Sequence, residues 1–152
     1  MFASGVSFEL YIVGQGHLQS KLRLMAKGYP NICFLGNINP EAVRDQMRQS
    51  QVFCMPSYTE TLGLVFIEAM KQGLPVIGRR GTGIDGMGKA GQDYEVIESD
   101  TELPGVLRKL LDNEPRRSEL AAAGQRLAAN WTWENSALQH MAIYEELVRK
   151  AT

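Results

Sequence analysis

Short apolar runs with the length of β-strands alternate with segments of helical periodicity along the first two thirds of the chain. The strand-like runs lie at residues 8–13, 32–35, 51–55, 75–77 and 93–97, and the helical segments lie at 17–27, 40–49 and 64–72. Alternation of this kind favours parallel strands joined by helices that pack on the sheet. We therefore expect an α/β fold with a parallel β-sheet flanked by helices.

The last third of the chain is helical by its periodicity. Apolar residues recur at helical spacing from Leu103 onwards, and we expect a final helix to start after Thr132. The apolar stripe of this helix consists of Trp133, Ala137, Met141, Tyr144 and Val148. A stripe of this composition predicts packing into the core rather than a ligand-binding surface.

Length and charge limit the classes of function. The 152 residues suit a single domain, and the net charge of −1 gives no reason to expect nucleic acid as a partner. No apolar run approaches the ~20 residues of a membrane span, and residues 1–5 lack the features of a signal peptide. Cys33 and Cys54 lie in apolar runs without metal spacing, which is typical of reduced thiols in a cytoplasmic protein.

A short segment with two glutamates carries the most functional information. Glu60 and Glu68 flank the sequence Leu62-Gly63-Leu64, in which a glycine loop leads into a helix. Free backbone N–H groups and the helix dipole attract phosphate at such a place. Glu68, about one turn into the helix, would accept hydrogen bonds from paired sugar hydroxyls, and Glu60 would reach a sugar beyond the phosphates. Either glutamate taken alone also fits a simpler role, in which it complements the helix dipole.

This segment closely resembles the E-x7-E signature of retaining glycosyltransferases with the GT-B fold, in particular glycosyltransferase family 4. The family pattern reads E-G-F-G-L-x-x-x-E-A-M-A-x-G-x-P-V, and this chain departs from it at Thr61 and Leu62. The resemblance extends over nearly the whole chain. It implies that residues 1–152 form a single nucleotide-sugar-binding domain with a Rossmann-like parallel β-sheet flanked by helices, the C-terminal or donor half of a GT-B fold.

The resemblance also implies that three further loops contact the donor. Their residues are Gly14 and Gly16, Asn37 and Ile38, and Gly81 and Thr82. The first pair would line the cleft, the second would present its backbone to the nucleobase, and the third would face the transferred sugar. An ordinary structural turn is the alternative for the first two loops.

The implied activity is transfer of a sugar from a nucleotide-diphosphate donor to an acceptor, with retention at the anomeric carbon. Glu68 would hold the ribose, and the amides of Leu62, Gly63 and Leu64 would bind the diphosphate, with Thr61 also in the substrate-binding loop. Glu60 would be the catalytic residue that orients the donor sugar. No Asp-x-Asp or metal-ligand spacing occurs in the sequence, so we expect neither a metal nor another cofactor. A role in polysaccharide or glycolipid biosynthesis is implied only at the level of the family.

Two parts of such an enzyme are not found in this sequence. One is the N-terminal acceptor domain, through which peripheral membrane contact would occur. The other is the first strand of the donor domain with its phosphate-binding Arg and Lys. Because each charge-assisted contact contributes about 1.5–3 kcal/mol, we expect weak donor binding and no activity of the chain alone.

Two alternatives stay open at this point. Arg79 or Arg80 could replace one of the missing phosphate-binding cations. The chain could also be a non-catalytic, free-standing α/β module that binds a nucleotide or a protein.

Overall fold

The computed structural model describes residues 8–151. Its elements, in chain order, are β1 (Leu10–Val13), α1 (Gln19–Met25), β2 (Ile32–Gly36), α2 (Pro40–Gln49), β3 (Phe53–Cys54), α3 (Leu64–Lys71), β4 (Val76–Arg79), β5 (Glu95–Ile97), α4 (Leu103–Leu111), α5 (Glu114–Ala129) and α6 (Trp133–Ala151). All strand pairs are parallel. The prediction of an α/β fold with parallel strands and flanking helices is confirmed.

The chain divides into two compact units, with the boundary between Gln46 and Met47. Hydrogen bonding gives each unit its own sheet, β1–β2 in the first and β3–β4–β5 in the second, where the sequence pattern predicts one sheet. The difference arises at β3, because this strand is two residues long and its described pairing is with β4. The units are referred to below as the first and second unit.

In the first unit, β1 and β2 pair along their full lengths. Helix α2 begins at Pro40 as predicted, since Oδ1 of Asn39 accepts a 2.8 Å hydrogen bond from the amide of Ala42. Helix α1 is shorter than the predicted 17–27. A turn closed by the amide of Gln19 and the carbonyl of Gly16 precedes it, so the helix starts two residues later than expected.

A hydrophobic core in the second unit is formed between its sheet and helices α4 and α5. Its fully buried members are Ile77, Ile97, Leu110 and Leu120. Helix α3 lies against α5 at Gly124, where a Cβ atom would come within 3.2 Å of Met70 Cγ. This close packing fixes α3, and with it the position of the loop at its N-terminal end.

The apolar stripe of α6 does not pack into a core. Trp133 is 86% exposed, Tyr144 62% and Val148 67%, and Ala137 and Met141 are exposed as well. The prediction of core packing is therefore wrong. Helical periodicity identifies the face that a helix is able to bury, but it carries no information on the partner that would cover it.

Both cysteines are free thiols, as predicted, and both are partly buried. Burial raises the pKa of the Cys54 thiol to about 11. At neutral pH the thiol of Cys54 is therefore protonated, which is typical of an unreactive interior cysteine.

Candidate functional site at the start of helix α3

The loop between β3 and α3 ends at Gly63, which is the N-cap of the helix. Gly63 has a left-handed backbone with φ +65°, and its carbonyl accepts a 2.8 Å hydrogen bond from the amide of Phe66. A Cβ atom at this position would lie 2.5 Å from Cδ2 of the Phe66 ring. Both the dihedral angle and the lack of space therefore require glycine here.

Glu60 turns back onto its own loop. Its Oε1 accepts hydrogen bonds from the amides of Thr61 and Gly63, each at 3.0 Å. The side chain is half-buried, and its second carboxylate oxygen has no hydrogen-bond partner within the described part of the chain. The loop thus holds the Glu60 carboxylate in one orientation and leaves one oxygen for an external ligand.

Backbone donors remain unpaired beside this carboxylate. The amides of Leu62, Leu64 and Val65 have no hydrogen-bond partner among residues 8–151. Of the three amides predicted to bind a diphosphate, that of Gly63 is already taken by Glu60, while those of Leu62 and Leu64 are available. Val65 adds an available donor that the sequence analysis missed. Three unpaired amides at the positive end of a helix dipole form a place where an anion is stabilised.

Glu68 lies one turn into α3, as predicted. It is exposed while its neighbours Ile67 and Ala69 are buried. Its carboxylate makes no hydrogen bond or ion pair within the described residues. Both oxygens of the Glu68 carboxylate are therefore available to a ligand, whereas Glu60 has only one available oxygen.

The loop after β4 packs directly on the Glu60 loop. The amide of Gly83 donates a 3.0 Å hydrogen bond to the carbonyl of Glu60. A Cβ atom at Gly83 would lie 2.6 Å from the carbonyl carbon of Leu62. The structure thus brings the predicted glycine-rich turn into backbone contact with the predicted phosphate loop.

Within this turn, the two predicted contact residues differ in what they can offer a ligand. Oγ1 of Thr82 donates to the carbonyl of Arg79 at 2.8 Å, so its hydroxyl is left only as an acceptor. The amide of Gly81 donates to Oδ2 of Asp85 at 2.9 Å, and Gly81 itself is exposed.

The two arginines at the end of β4 have different environments. Arg79 is 5% exposed, and it donates from Nε to the carbonyl of Pro56, from one terminal nitrogen to the carbonyl of Glu98 and from the other to Asp100. Because its donors are used inside the protein, Arg79 does not replace a phosphate-binding cation. Arg80 is half exposed and lies 3.2 Å from Glu98, so it is the one of the two that could reach an anion.

Sequence reasoning missed a second cluster at this edge of the sheet. The guanidinium of Arg79 lies 3.9 Å from the centre of the Tyr58 ring, and the hydroxyl of Tyr58 donates to Asp100 at 2.9 Å. Tyr58 precedes Glu60 by two residues, which is a signal that could have drawn attention to it. Asp100 is 42 residues away from Tyr58, and nothing in the sequence pattern relates the two.

The other predicted contact residues belong to the first unit. The amide of Gly14, whose φ is +110°, donates a 2.8 Å hydrogen bond to the carbonyl of Gly36, so the turn after β1 lies beside the end of β2. A Cβ atom at Gly14 or Gly16 would meet nothing within 4 Å. The backbones of Asn37 and Ile38 make no hydrogen bond with the rest of residues 8–151, so they are available to a ligand.

Two further structural features concern metal binding and membrane insertion. In the described part of the chain, no group of three or more His, Cys, Asp or Glu side chains is placed to hold a metal ion. None of the helices between residues 8 and 151 combines the length and the apolar character needed to cross a bilayer. The residues on which the signal-peptide argument depends, 1–5, lie outside the described residues.

Comparison with known proteins gives a clear relationship. The family described as glycosyl transferases group 1 matches residues 3–127, most of the chain. A GDP-mannose-dependent monoacylated alpha-(1-6)-phosphatidylinositol monomannoside mannosyltransferase of Corynebacterium glutamicum is 33% identical over 136 residues. That match covers 83% of this chain but only 36% of the relative, so the chain spans about a third of the relative's length.

Solved structures of other proteins resemble the fold. WaaG, a glycosyltransferase involved in lipopolysaccharide biosynthesis, has a TM-score of 0.71 at 29% identity, with 88% of this chain and 36% of WaaG covered. Anabaena HepE in complex with UDP-glucose has a TM-score of 0.76 at 18% identity, with 93% of this chain and 41% of HepE covered. The protein belongs to the glycosyl transferases group 1 family.

Proposed function

We propose that this chain is the nucleotide-sugar donor domain of a retaining glycosyltransferase. The observation that carries the proposal is the arrangement at the start of α3, where three unpaired amides lie between two carboxylates that are held differently. Family membership supports the reaction class. The relative's dependence on GDP-mannose and the UDP-glucose bound to HepE support a nucleotide-diphosphate donor.

Each part of the arrangement has a proposed role. The amides of Leu62, Leu64 and Val65 bind the diphosphate and stabilise it as a leaving group. Glu68, which is exposed and unpaired, accepts hydrogen bonds from the ribose hydroxyls. Glu60 orients the donor sugar with its free oxygen, and its charge stabilises the developing oxocarbenium ion. Thr82 accepts a hydrogen bond from a sugar hydroxyl, because its own proton is already donated to Arg79.

The wider setting is also part of the proposal. An acceptor domain outside this sequence completes the site and excludes water, so the chain alone is inactive. Retention follows a front-face course in which the leaving phosphate accepts the acceptor's proton. We propose that no metal is required. We also propose a cytoplasmic location, because both cysteines are free thiols, as is usual in a reducing compartment.

Glu68→Ala tests the ribose role in the 152-residue chain. GDP and UDP are titrated by calorimetry, and the variant should lose at least tenfold in affinity, since a hydrogen bond to a charged group contributes about 1.5–3 kcal/mol. Glu41→Ala is the matched control, because Glu41 is another glutamate near a helix start and only complements the dipole there. It should leave the affinity unchanged.

The 2′-deoxy forms of the same nucleotides sharpen the test. They should bind the wild-type chain less tightly but lose nothing further in Glu68→Ala, because both changes remove the same interaction. Equal affinity of the wild-type chain and Glu68→Ala for GDP and UDP would refute the ribose role. A wild-type chain that binds neither nucleotide would refute the donor function itself.

A further inference from the structure

Tyr58 presents an aromatic ring to solvent at the edge of the candidate site. The residue is 70% exposed, although its ring is held at two points. One face lies 3.9 Å above the guanidinium of Arg79, and the hydroxyl donates a 2.9 Å hydrogen bond to Oδ2 of Asp100. A ring fixed by a cation–π contact and a hydrogen bond loses little conformational entropy when a ligand packs on its free face.

The support beneath this ring is rigid. Arg79 is 5% exposed, and its nitrogens donate hydrogen bonds to the carbonyls of Pro56 and Glu98 and to the carboxylate of Asp100. Hydrogen bonds from Tyr58 and Arg79 hold the pKa of Asp100 below its ordinary value, so the carboxylate stays charged at neutral pH. The same hydrogen bond to Asp100 raises the pKa of Tyr58, which keeps the phenol protonated and able to donate.

The cluster lies where ligands of such folds are bound. Tyr58 follows β3, Arg79 is the last residue of β4, and Asp100 follows β5. Because these three strands are parallel, their carboxyl ends share one edge of the sheet, which is the edge at which open α/β sheets bind ligands. The ring therefore covers the end of the central strand and bridges the loops on both sides of it.

We propose that Tyr58 is a stacking platform for a sugar ring, with Arg79 and Asp100 as its positioning residues. The inference rests on the proposed function, because it uses the order of groups along the loop. Along the chain, Tyr58 is followed by Glu60, by the amides proposed to bind the diphosphate and by Glu68, so a donor sugar held by Glu60 is at the end of this segment to which Tyr58 belongs. A pyranose presents a face of C–H groups that packs on an aromatic ring, and the sugar is either that of the donor or that of the acceptor.

Tyr58→Leu tests the platform in the 152-residue chain, because it removes the ring at an exposed position and keeps an apolar side chain. Calorimetry is done with GDP, UDP, GDP-mannose and UDP-glucose, and saturation-transfer NMR with methyl α-mannopyranoside and methyl α-glucopyranoside. We expect unchanged affinity for GDP and UDP. At least one sugar-bearing probe should lose about three- to tenfold, the range for one aromatic contact of about 0.5–1.5 kcal/mol.

The pattern of losses identifies the source of the sugar. A loss for the nucleotide sugars assigns the ring to the donor sugar, and a loss confined to the free glycosides assigns it to the acceptor. Asp100→Asn tests the positioning role: it should lower affinity for the same probe in the wild-type chain but have no further effect in the Tyr58→Leu background. A role of Asp100 in stability alone would give the same effect in both backgrounds.

The outcomes that overturn the inference are distinct from those that overturn the proposed function. If GDP or UDP binds but every sugar-bearing probe binds Tyr58→Leu as it binds the wild-type chain, the platform is refuted and the donor function stands. If neither GDP nor UDP binds the wild-type chain, both fall together.

Discussion

Both units have glycines in the loops at the carboxyl ends of their strands, but the space around these glycines differs between the units. In the second unit, a Cβ atom at Gly63 or Gly83 would collide with neighbouring atoms at 2.5 to 2.6 Å. In the first unit, a Cβ atom at Gly14 or Gly16 would meet nothing within 4 Å. The sequence shows similar glycine-rich turns in both places. The difference teaches that mutual contact leaves no room for a side chain in the second unit's loops. The first unit's turn has open space around it and is held by its backbone angles and by the hydrogen bond from Gly14 to Gly36.

The largest loss of stability is expected on removal of the buried cation that holds the loops of the second unit together. Arg79→Ala removes the guanidinium from the carbonyls of Pro56 and Glu98 and from Asp100. We expect a loss of at least about 3 kcal/mol in the free energy of unfolding by urea, since several hydrogen bonds to a charged group are lost at about 1.5–3 kcal/mol each. Arg79→Lys should restore little of it, because an ammonium cannot reproduce the planar fork.

The neighbouring arginine is the matched control for this prediction. Arg80 is half exposed, and its ion pair with Glu98 is at the surface. Arg80→Ala should therefore cost less than about 1 kcal/mol. Equal losses for the two arginines would show that the loops do not depend on the buried cation.

Gly83→Ala should have the next largest effect. The added methyl group would lie 2.6 Å from the backbone of Leu62, so one of the two loops has to move. We expect a loss of about 2 kcal/mol in unfolding free energy, within the range for overpacking, together with weaker binding of GDP or UDP in calorimetry.

Gly81→Ala in the same turn distinguishes the effect of a steric clash from the effect of an unfavourable backbone angle. Gly81 has φ +76° and nothing within 4 Å of a Cβ atom, so the substitution strains only the dihedral angle, at about 1 kcal/mol. It should leave nucleotide binding intact. If Gly81→Ala impairs binding as much as Gly83→Ala does, contact between the loops is not what shapes the site.

A smaller effect is expected in the first unit. Gly14→Ala places a side chain at φ +110° with open space around it, so only backbone strain of about 1 kcal/mol opposes it. Gly16 has neither a positive φ nor a close neighbour, and Gly16→Ala should change the unfolding free energy by less than about 0.5 kcal/mol. Equal losses at Gly14 and Gly16 would show that the positive φ of Gly14 is not what requires glycine in the first unit's turn.

The parts of the molecule that were predictable from sequence are local. The starts of α2 at Pro40 and of α6 at Trp133 and the position of Glu68 one turn into α3 follow from neighbouring residues, and the structure has all three. The use of the Gly63 amide by Glu60 was not predicted, because the loop conformation decides it. The Tyr58 and Asp100 contact depends on two loops from different strands, and no periodicity encodes that kind of contact.

The exposed apolar stripe of α6 is a second case in which the sequence pattern did not predict a tertiary contact. Its periodicity is clear in the sequence, and the helix begins at Trp133 as expected. Burial, however, is a property of the helix and its partner together, and sequence pattern describes only one of the two. Local rules therefore located the elements and the phosphate loop, but the conformation of the loops and their tertiary contacts determined which groups in them are free.

The smallest effect concerns reactivity rather than stability. Burial raises the pKa of Cys54 from 9.0 to about 11, so at pH 8 the difference of about 3 units leaves roughly one thiol in a thousand ionised. Alkylation of Cys54 by iodoacetamide, followed by peptide mass spectrometry, should be about a hundredfold slower in the folded chain than in urea. Because the pKa of Cys54 is higher in the folded chain than in the unfolded chain, its protonated thiol contributes to the free energy of unfolding. This contribution is present below about pH 9 and is lost as the pH rises through about 11. Equal rates of Cys54 alkylation with and without urea would mean that β3 does not shield its thiol. The close packing seen in the loops of the second unit would then not extend to β3, the strand that leads into the Glu60 loop.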